Sequence, residues 1–232
     1  MQTAGANTDQ IEFWNGRSAK RWVQFQERQD RMLHPLGHRA LESGLPQPGE
    51  RVLDVGCGCG DTTIDLARKV APSGTATGID VSTMMLARAQ ERTAGTDLNI
   101  SFIDDDAQTH GFADGSFDVV YSCFGIMFFA DPKEAFVNLC RALGTCGRLI
   151  FVCWRAREEN PWMTIPVQVA AQYLPRPQPS LPRAWRSPRR PAQQMLPRTP
   201  RSPHITNVSS IPPRLQDISV KCCMRTLPGL VH

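Results

Sequence analysis

The sequence predicts an α/β protein built on a doubly wound, mostly parallel sheet, and three observations lead there. A short apolar strand, Arg51–Val55, runs into the glycine-spaced turn Gly56-Cys57-Gly58-Cys59-Gly60 and straight on into a helical pattern. Short apolar strands then alternate with helices as far as Val152, the rhythm of parallel strands covered on both faces. Composition then breaks: residues 1–159 hold 16 Lys+Arg against 21 Asp+Glu, whereas residues 160–232 hold 10 Lys+Arg and a single acid, Asp217. Of 19 prolines 14 fall in the second part, but of 17 glycines only Gly229 does. The chain is therefore expected to divide into a helical cap over residues 1–45, an α/β binding domain over 46–174 and a disordered Pro/Arg-rich tail over 175–232.

Taken in order, Ile11 to about Leu33 mixes Phe13, Trp14, Trp22, Val23 and Phe25 with charges, a helix broken near Asn15-Gly16. Pro35 is expected to start a second short helix that ends near Gly44, and Pro46-Gln47-Pro48-Gly49 forms a stop. Strands are expected at Arg51–Val55, Thr75–Ile79, Leu98–Ile103, Phe117–Ser122 and Gly147–Val152. Helices lie between them: Thr62–Val70, one N-capped by Ser82 and running to Arg92, and one capped by Asp131 with Pro132 at its first position, reaching Leu143. Residues 159–174 suit one more helix, limited by Pro161 and Pro166. Pro175–Pro203, with 9 prolines, 7 arginines and no acid, cannot bury enough apolar surface to offset its ordering entropy.

Several classes are disfavoured. No run of about 18 apolar residues stands in the chain, so a membrane span is not expected. Met1–Asp9 is polar and lacks an apolar signal core, and the eight cysteines form no CxxC pair. Reduced thiols in a cytoplasmic protein without a metal site are the expectation. The glycine turn is neither the dinucleotide fingerprint GxGxxG nor a P-loop, which would need a Lys after its last glycine.

Asp54-x-Gly56-x-Gly58-x-Gly60 instead resembles motif I of class I S-adenosylmethionine-dependent methyltransferases. Asp80, in Gly78-Ile79-Asp80-Val81-Ser82, follows at the end of the second strand, where a carboxylate can accept from both hydroxyls of a ribose. Asp104-Asp105-Asp106-Ala107 follows the third strand, and Phe117-Asp118-Val119-Val120-Tyr121-Ser122 looks like motif IV of the family. Phe13-Trp14-Asn15-Gly16 and Phe124-Gly125-Ile126-Met127-Phe128-Phe129 carry a likeness to its small-molecule branch, the type 11 domains of ubiquinone and menaquinone biosynthesis.

The resemblance, which runs from about Ile11 to Leu174, implies a Rossmann-like fold and S-adenosylmethionine as cofactor. It implies that Asp54 and the backbone of Gly56, Cys57, Gly58 and Gly60 hold the methionine part, and that Asp80 binds the ribose. Val81 and Met84 would flank the adenine, and Asp106 would meet its amino group beside Ala107. Each has a plainer reading: Asp54 as a brace for the turn, Val81 and Met84 as core, one or more of the Asp104–Asp106 acids as merely solvated. No catalytic base stands out. His110 is a candidate or a surface-loop histidine, Tyr121 and Cys123 candidates or core.

A small, partly apolar acceptor is expected, because the Asn/Asp-Pro-Pro-Tyr/Phe motif of amino-directed nucleic-acid enzymes is replaced by Ser122-Cys123-Phe124-Gly125. The acidity of the ordered part also suits phosphate backbones poorly. Trp14 and Trp22 are candidates for its lid and Phe124 and Met127 for its wall, or all simply pack helices on the sheet. The family continues with two further strands, whereas here Asp217–Met224 makes at most a weak one. A reading-frame shift after about residue 174 would explain missing strands six and seven, and translating the neighbouring frame of the gene tests it. The alternative function is a non-catalytic cofactor-binding remnant whose basic, proline-rich tail binds nucleic acid or a protein partner.

Overall fold

The computed structural model describes residues 7–155 and 159–173, and the backbone of residues 218–224. Three helices come first: α1 (Thr8–Asn15), α2 (Arg17–Gln24) and α3 (Gln26–Gly44). The break at Asn15-Gly16 is where the sequence places it, with Gly16 in a non-helical conformation between two helices. Pro35 does not start a helix; it lies inside α3. Its lost N–H and ring clash are local costs. Leu33, Leu36, Ala40 and Leu41, on both sides of it, all pack on one face of the sheet, and that burial holds the helix through the proline.

The sheet follows: β1 (Arg51–Val55), β2 (Thr75–Asp80), β3 (Ile100–Asp104), β4 (Phe117–Cys123), β5 (Leu143–Trp154) and β6 (Ile218–Met224). Between strands run α4 (Asp61–Val70), α5 (Thr83–Thr93), α6 (Pro132–Ala142) and α7 (Pro161–Ala170), with a 3-10 turn at Ile126–Phe128. Strand order is β3-β2-β1-β4-β5-β6. The pairs among β1 to β5 are parallel, and β6 runs antiparallel to β5, from Arg148 against Met224 to Trp154 against Ile218. The segment read as a weak strand thus pairs along one edge of β5 as a sixth strand.

Period-two alternation along β1 splits the core. Val52 joins Leu66, Ala67, Val70, Tyr121 and Ile150 on the face under α3 and α4, while Leu53 and Val55 join Phe136, Leu139 and Phe151 on the face under α6. The helix caps are local. Ser82 Oγ accepts from the Met85 N–H at 3.5 Å, and Asp131 accepts from the N–H groups of Lys133 (2.9 Å) and Glu134 (3.1 Å). Strand order reverses between β1 and β4, so their carboxyl ends open a crevice at the topological switch point. No helix among the described residues is long and apolar enough to cross a membrane.

Candidate functional site

The crevice is floored by the glycine turn. Gly56, Gly58 and Gly60 all have positive φ, at 69°, 54° and 82°. Each glycine answers to a different neighbour. A Cβ on Gly56 would stand 2.7 Å from the Gly125 backbone, so the turn after β1 and the turn after β4 touch through bare backbone. A Cβ on Gly60 would meet Ala89 of α5 at 3.0 Å, but one on Gly58 would find its nearest neighbour, Met85 Sδ, at 3.9 Å. Of the three, Gly58 is the least crowded, with only that ordinary contact to the Met85 sulfur. The N–H groups of Gly56 and Cys57 donate to the Ile79 carbonyl at 2.9 and 3.2 Å, tying the turn to the end of β2.

Asp54 is fully buried in β1, two residues before Gly56. Its Oδ2 accepts from the Thr62 and Thr63 hydroxyls at 2.7 and 2.6 Å, whereas its Oδ1 is buried with no donor. Burial pushes its pKa up to about 6, against the pull of the two hydroxyls. Asp80 closes the other side: its Oδ2 accepts from the Gly58 N–H at 2.8 Å and its Oδ1 from the Ser82 N–H at 2.9 Å. Burial also lifts Asp80 to about 6, outweighing those backbone bonds. The Cys57 side chain turns away beneath the turn, since a Cβ on Gly78 would stand 2.7 Å from its sulfur. Burial holds that thiol well above its ordinary value, so Cys57 offers the site backbone only.

The loop after β3 docks on the same edge, the Asp105 N–H donating to the Asp80 carbonyl at 3.2 Å. Asp106 is buried and accepts from the Gln108 N–H at 2.9 Å, and Ala107 packs in the core cluster with Phe112 and Ile126. Asp105 accepts from the Asp106 N–H and bonds His110 Nδ1 at 2.6 Å, so His110 belongs to a loop-bracing pair. Tyr121 is buried, donates to the Gly37 carbonyl at 3.0 Å and is held well above its ordinary pKa by burial, while burial pushes the Cys123 thiol up to about 12. Both stay protonated at neutral pH.

The cap lies over the same end of the crevice as the turn. Trp14, Trp22, Val23 and Met84 pack on Ala19, Cys59 and Met85, so Met84 meets the cap aromatics rather than the sheet core. Trp14 is edge-on to Trp22 at 5.7 Å and to Phe128 at 5.2 Å. Asn15 fastens this arrangement, its amide donating to the Val81 carbonyl at 2.7 Å and accepting from the Thr83 N–H at 3.2 Å. Phe124, buried and at φ 62°, stacks on Trp154 at 4.6 Å, and Trp154 meets Trp162 at 4.9 Å. Met127 Sδ accepts from the Trp154 N–H at 3.3 Å. The turn, Asp54, Asp80, Met84, Trp14 and Trp22 thus converge on one end of the crevice, while Phe124 and Met127 sit at the β4–β5 end.

Sequence reasoning missed Thr62, Thr63, Asn15 and Trp154. The two threonines follow the turn directly, and hydroxyls at a helix start beside a buried acid were a readable signal. Asn15 stands in a phrase singled out for its aromatics, yet its partners lie 66 and 68 residues away.

Residues 52–147 match the family model described as Methyltransferase domain. The chain is similar to the aklanonic acid methyltransferase of Streptomyces sp. (strain C5), 36% identical over 118 residues covering 50% of this chain and 54% of that protein. It is also similar to the demethylmenaquinone methyltransferase of Thermus thermophilus, 36% identical over 112 residues, 48% of this chain and 50% of that protein. The chain spans about half the length of these curated relatives. The fold is shared with phosphoethanolamine N-methyltransferase 1 of Haemonchus contortus, solved with phosphoethanolamine and S-adenosylhomocysteine, at TM-score 0.55 and 22% identity over 68% of this chain and 34% of that one. Phosphoethanolamine N-methyltransferase 2 of the same organism gives TM-score 0.50 and 26% identity over 60% of this chain and 33% of that one.

Proposed function

We propose that the chain, whose residues 52–147 match a methyltransferase domain, is a class I enzyme that takes S-adenosylmethionine and methylates a small, partly apolar molecule. The observation that carries the cofactor site is the pair of carboxylates flanking the glycine turn. A buried acceptor left without a donor costs roughly 1–3 kcal/mol. Asp54 Oδ1 is such an acceptor, and an ammonium group from an amino-acid ligand would satisfy it. Asp80 accepts from the Gly58 and Ser82 N–H groups, with the Val81 N–H also drawn to it, and a carboxylate has about four acceptor positions, so capacity remains for a hydroxyl donor. The absent side chain of Gly58, whose Cβ position meets only the Met85 sulfur, lets a ligand approach the backbone closely.

In this reading Asp54 and the turn backbone hold the amino-acid end, and Asp80 holds the sugar. Val81 and Met84 border the base, with Asp106 and Ala107 at its far edge. When bound, the cofactor supplies a methyl group made electrophilic by its sulfonium. The chain aligns the partners and keeps water out, with Trp14 and Trp22 from above and Phe124, Met127 and Trp154 along the β4–β5 side. With Tyr121 and Cys123 held protonated, neither accepts the proton of the acceptor. The acceptor then brings its own nucleophile, as an ionised oxygen or carbon or an amine lone pair.

The aromatic wall, flanked by no charge on the Asn160–Leu174 segment, favours such an acceptor over a polyanion. Incubation with methyl-labelled cofactor and a panel of phenols, quinols and amines tests it. Label should enter the organic extract; label recovered only in protein or nucleic acid would refute the small-molecule reading.

A further inference from the structure

Arg92, on the last turn of α5, is only 19% exposed along its side chain and reaches into the glycine turn. Its Nη1 donates to the Cys59 carbonyl at 2.6 Å, and its Nη2 lies 3.4 Å from Asp61 Oδ1 and 3.0 Å from Asp30 Oδ2. Asp30 belongs to α3, Asp61 opens α4, and Arg92 is on α5, so one guanidinium joins the cap to the two helices that border the turn. The planarity of the Cys59–Gly60 peptide makes this contact directional. Its carbonyl is held by Arg92 and its N–H donates to the Cys57 carbonyl at 2.9 Å, so the plane is gripped from both sides. No side chain caps α4 at Gly60, which leaves that grip to fix how the helix start is presented. Further bonds steady Asp30 and Asp61: Gln26 donates to Asp30 and is itself held by Arg88, while His34 Nδ1 lies 3.0 Å from Asp61 Oδ2 and 3.6 Å from Asp65 Oδ2.

We propose that Arg92 is a positioning residue for the cofactor: through the Cys59 carbonyl it sets the glycine turn, and through Asp30 it ties that setting to the docked N-terminal cap. This deepens the cofactor reading above and rests on it. Arg92 touches no cofactor atom; it acts through the peptide it orients.

The test is titration of S-adenosylhomocysteine into the full chain and the variants R92Q, R92K, D30N and R51Q, with amide hydrogen exchange followed in parallel. Loss of a charge-assisted bond that sets the turn should weaken R92Q at least about tenfold. R92K, a single point charge that reaches one acceptor, should fall between R92Q and the parent. R51Q breaks the Arg51–Asp118 pair at the opposite end of the sheet and should bind as the parent does, so any common loss of stability is separated from positioning. Exchange at residues 58–61 should quicken in R92Q while β1 and β2 stay protected. If R92Q fails to fold, D30N decides, with an expected loss of about threefold in affinity. Unchanged affinity and unchanged exchange at the turn in R92Q, or unchanged affinity in D30N where R92Q is unfolded, would overturn the proposal. A parent chain that binds no ligand, yet whose turn loosens in R92Q, would instead fault the cofactor reading.

Discussion

Asp54 and Asp80 are both lifted from 3.8 to about 6 by burial, and the sign of that shift separates stability from binding. Between those values the folded chain keeps protons that the unfolded chain has released, so the free protein loses stability as pH rises through the window. Its melting temperature should therefore be higher at pH 5 than at pH 7 (two pH values chosen about the window), as calorimetry of the free chain will read. Ligand hydroxyl and ammonium donors favour the ionised carboxylates, so cofactor affinity should move the opposite way and rise with pH through about 6. Titration in buffers of different ionisation enthalpy should show proton release near that pH; proton uptake would contradict the assignment. Asp80→Asn keeps a single acceptor oxygen for the Gly58 and Ser82 N–H groups and loses the charge. Its cofactor affinity should drop at least about tenfold without unfolding the chain, read by titration and far-ultraviolet circular dichroism together.

Among the elements, the glycine turn invites a paired substitution. Gly56→Ala drives a methyl to within 2.7 Å of the Gly125 backbone and should yield an unfolded or insoluble chain. Gly58→Ala makes only an ordinary contact with the Met85 sulfur, loses about 1–2 kcal/mol to its left-handed backbone, and should fold yet bind cofactor weakly. A thermal melt beside a ligand titration distinguishes the two. This turn was legible in the sequence because its cause is local: bare backbone where φ is positive, a buried strand before it, a helix after it. The caps at Ser82 and Asp131 were legible for the same reason. Pro35 was misread because a local breaker rule lost to the packing of Leu33, Leu36 and Leu41 on the sheet. Asn15 and Arg92 were invisible because their meaning lies in partners distant along the chain, Val81 and Thr83 for one, Cys59 for the other. The parallel strands were legible as short apolar runs between turn signals, but which aromatics share a wall was not. Trp154 and Trp162 join Phe124 only once β4, β5 and α7 lie side by side.

At the scale of the whole molecule, the site occupies the switch point between β1 and β4, while β6 lies at the far edge of the sheet. Removing residues 174–232 would strip β6 from Arg148–Trp154 and leave an apolar strand with an open hydrogen-bonding edge. Light scattering should then show concentration-dependent association, whereas cofactor affinity of the soluble fraction should stay near that of the full chain. Turnover is a separate matter from binding, since this chain spans about half of its curated relatives. The most direct measurement is a crystal structure of the chain with S-adenosylhomocysteine. The ribose hydroxyls should lie on Asp80, with the amino group on the free oxygen of Asp54 above Gly58. Ligand density elsewhere, with Asp54 Oδ1 still lacking a donor, would contradict the account.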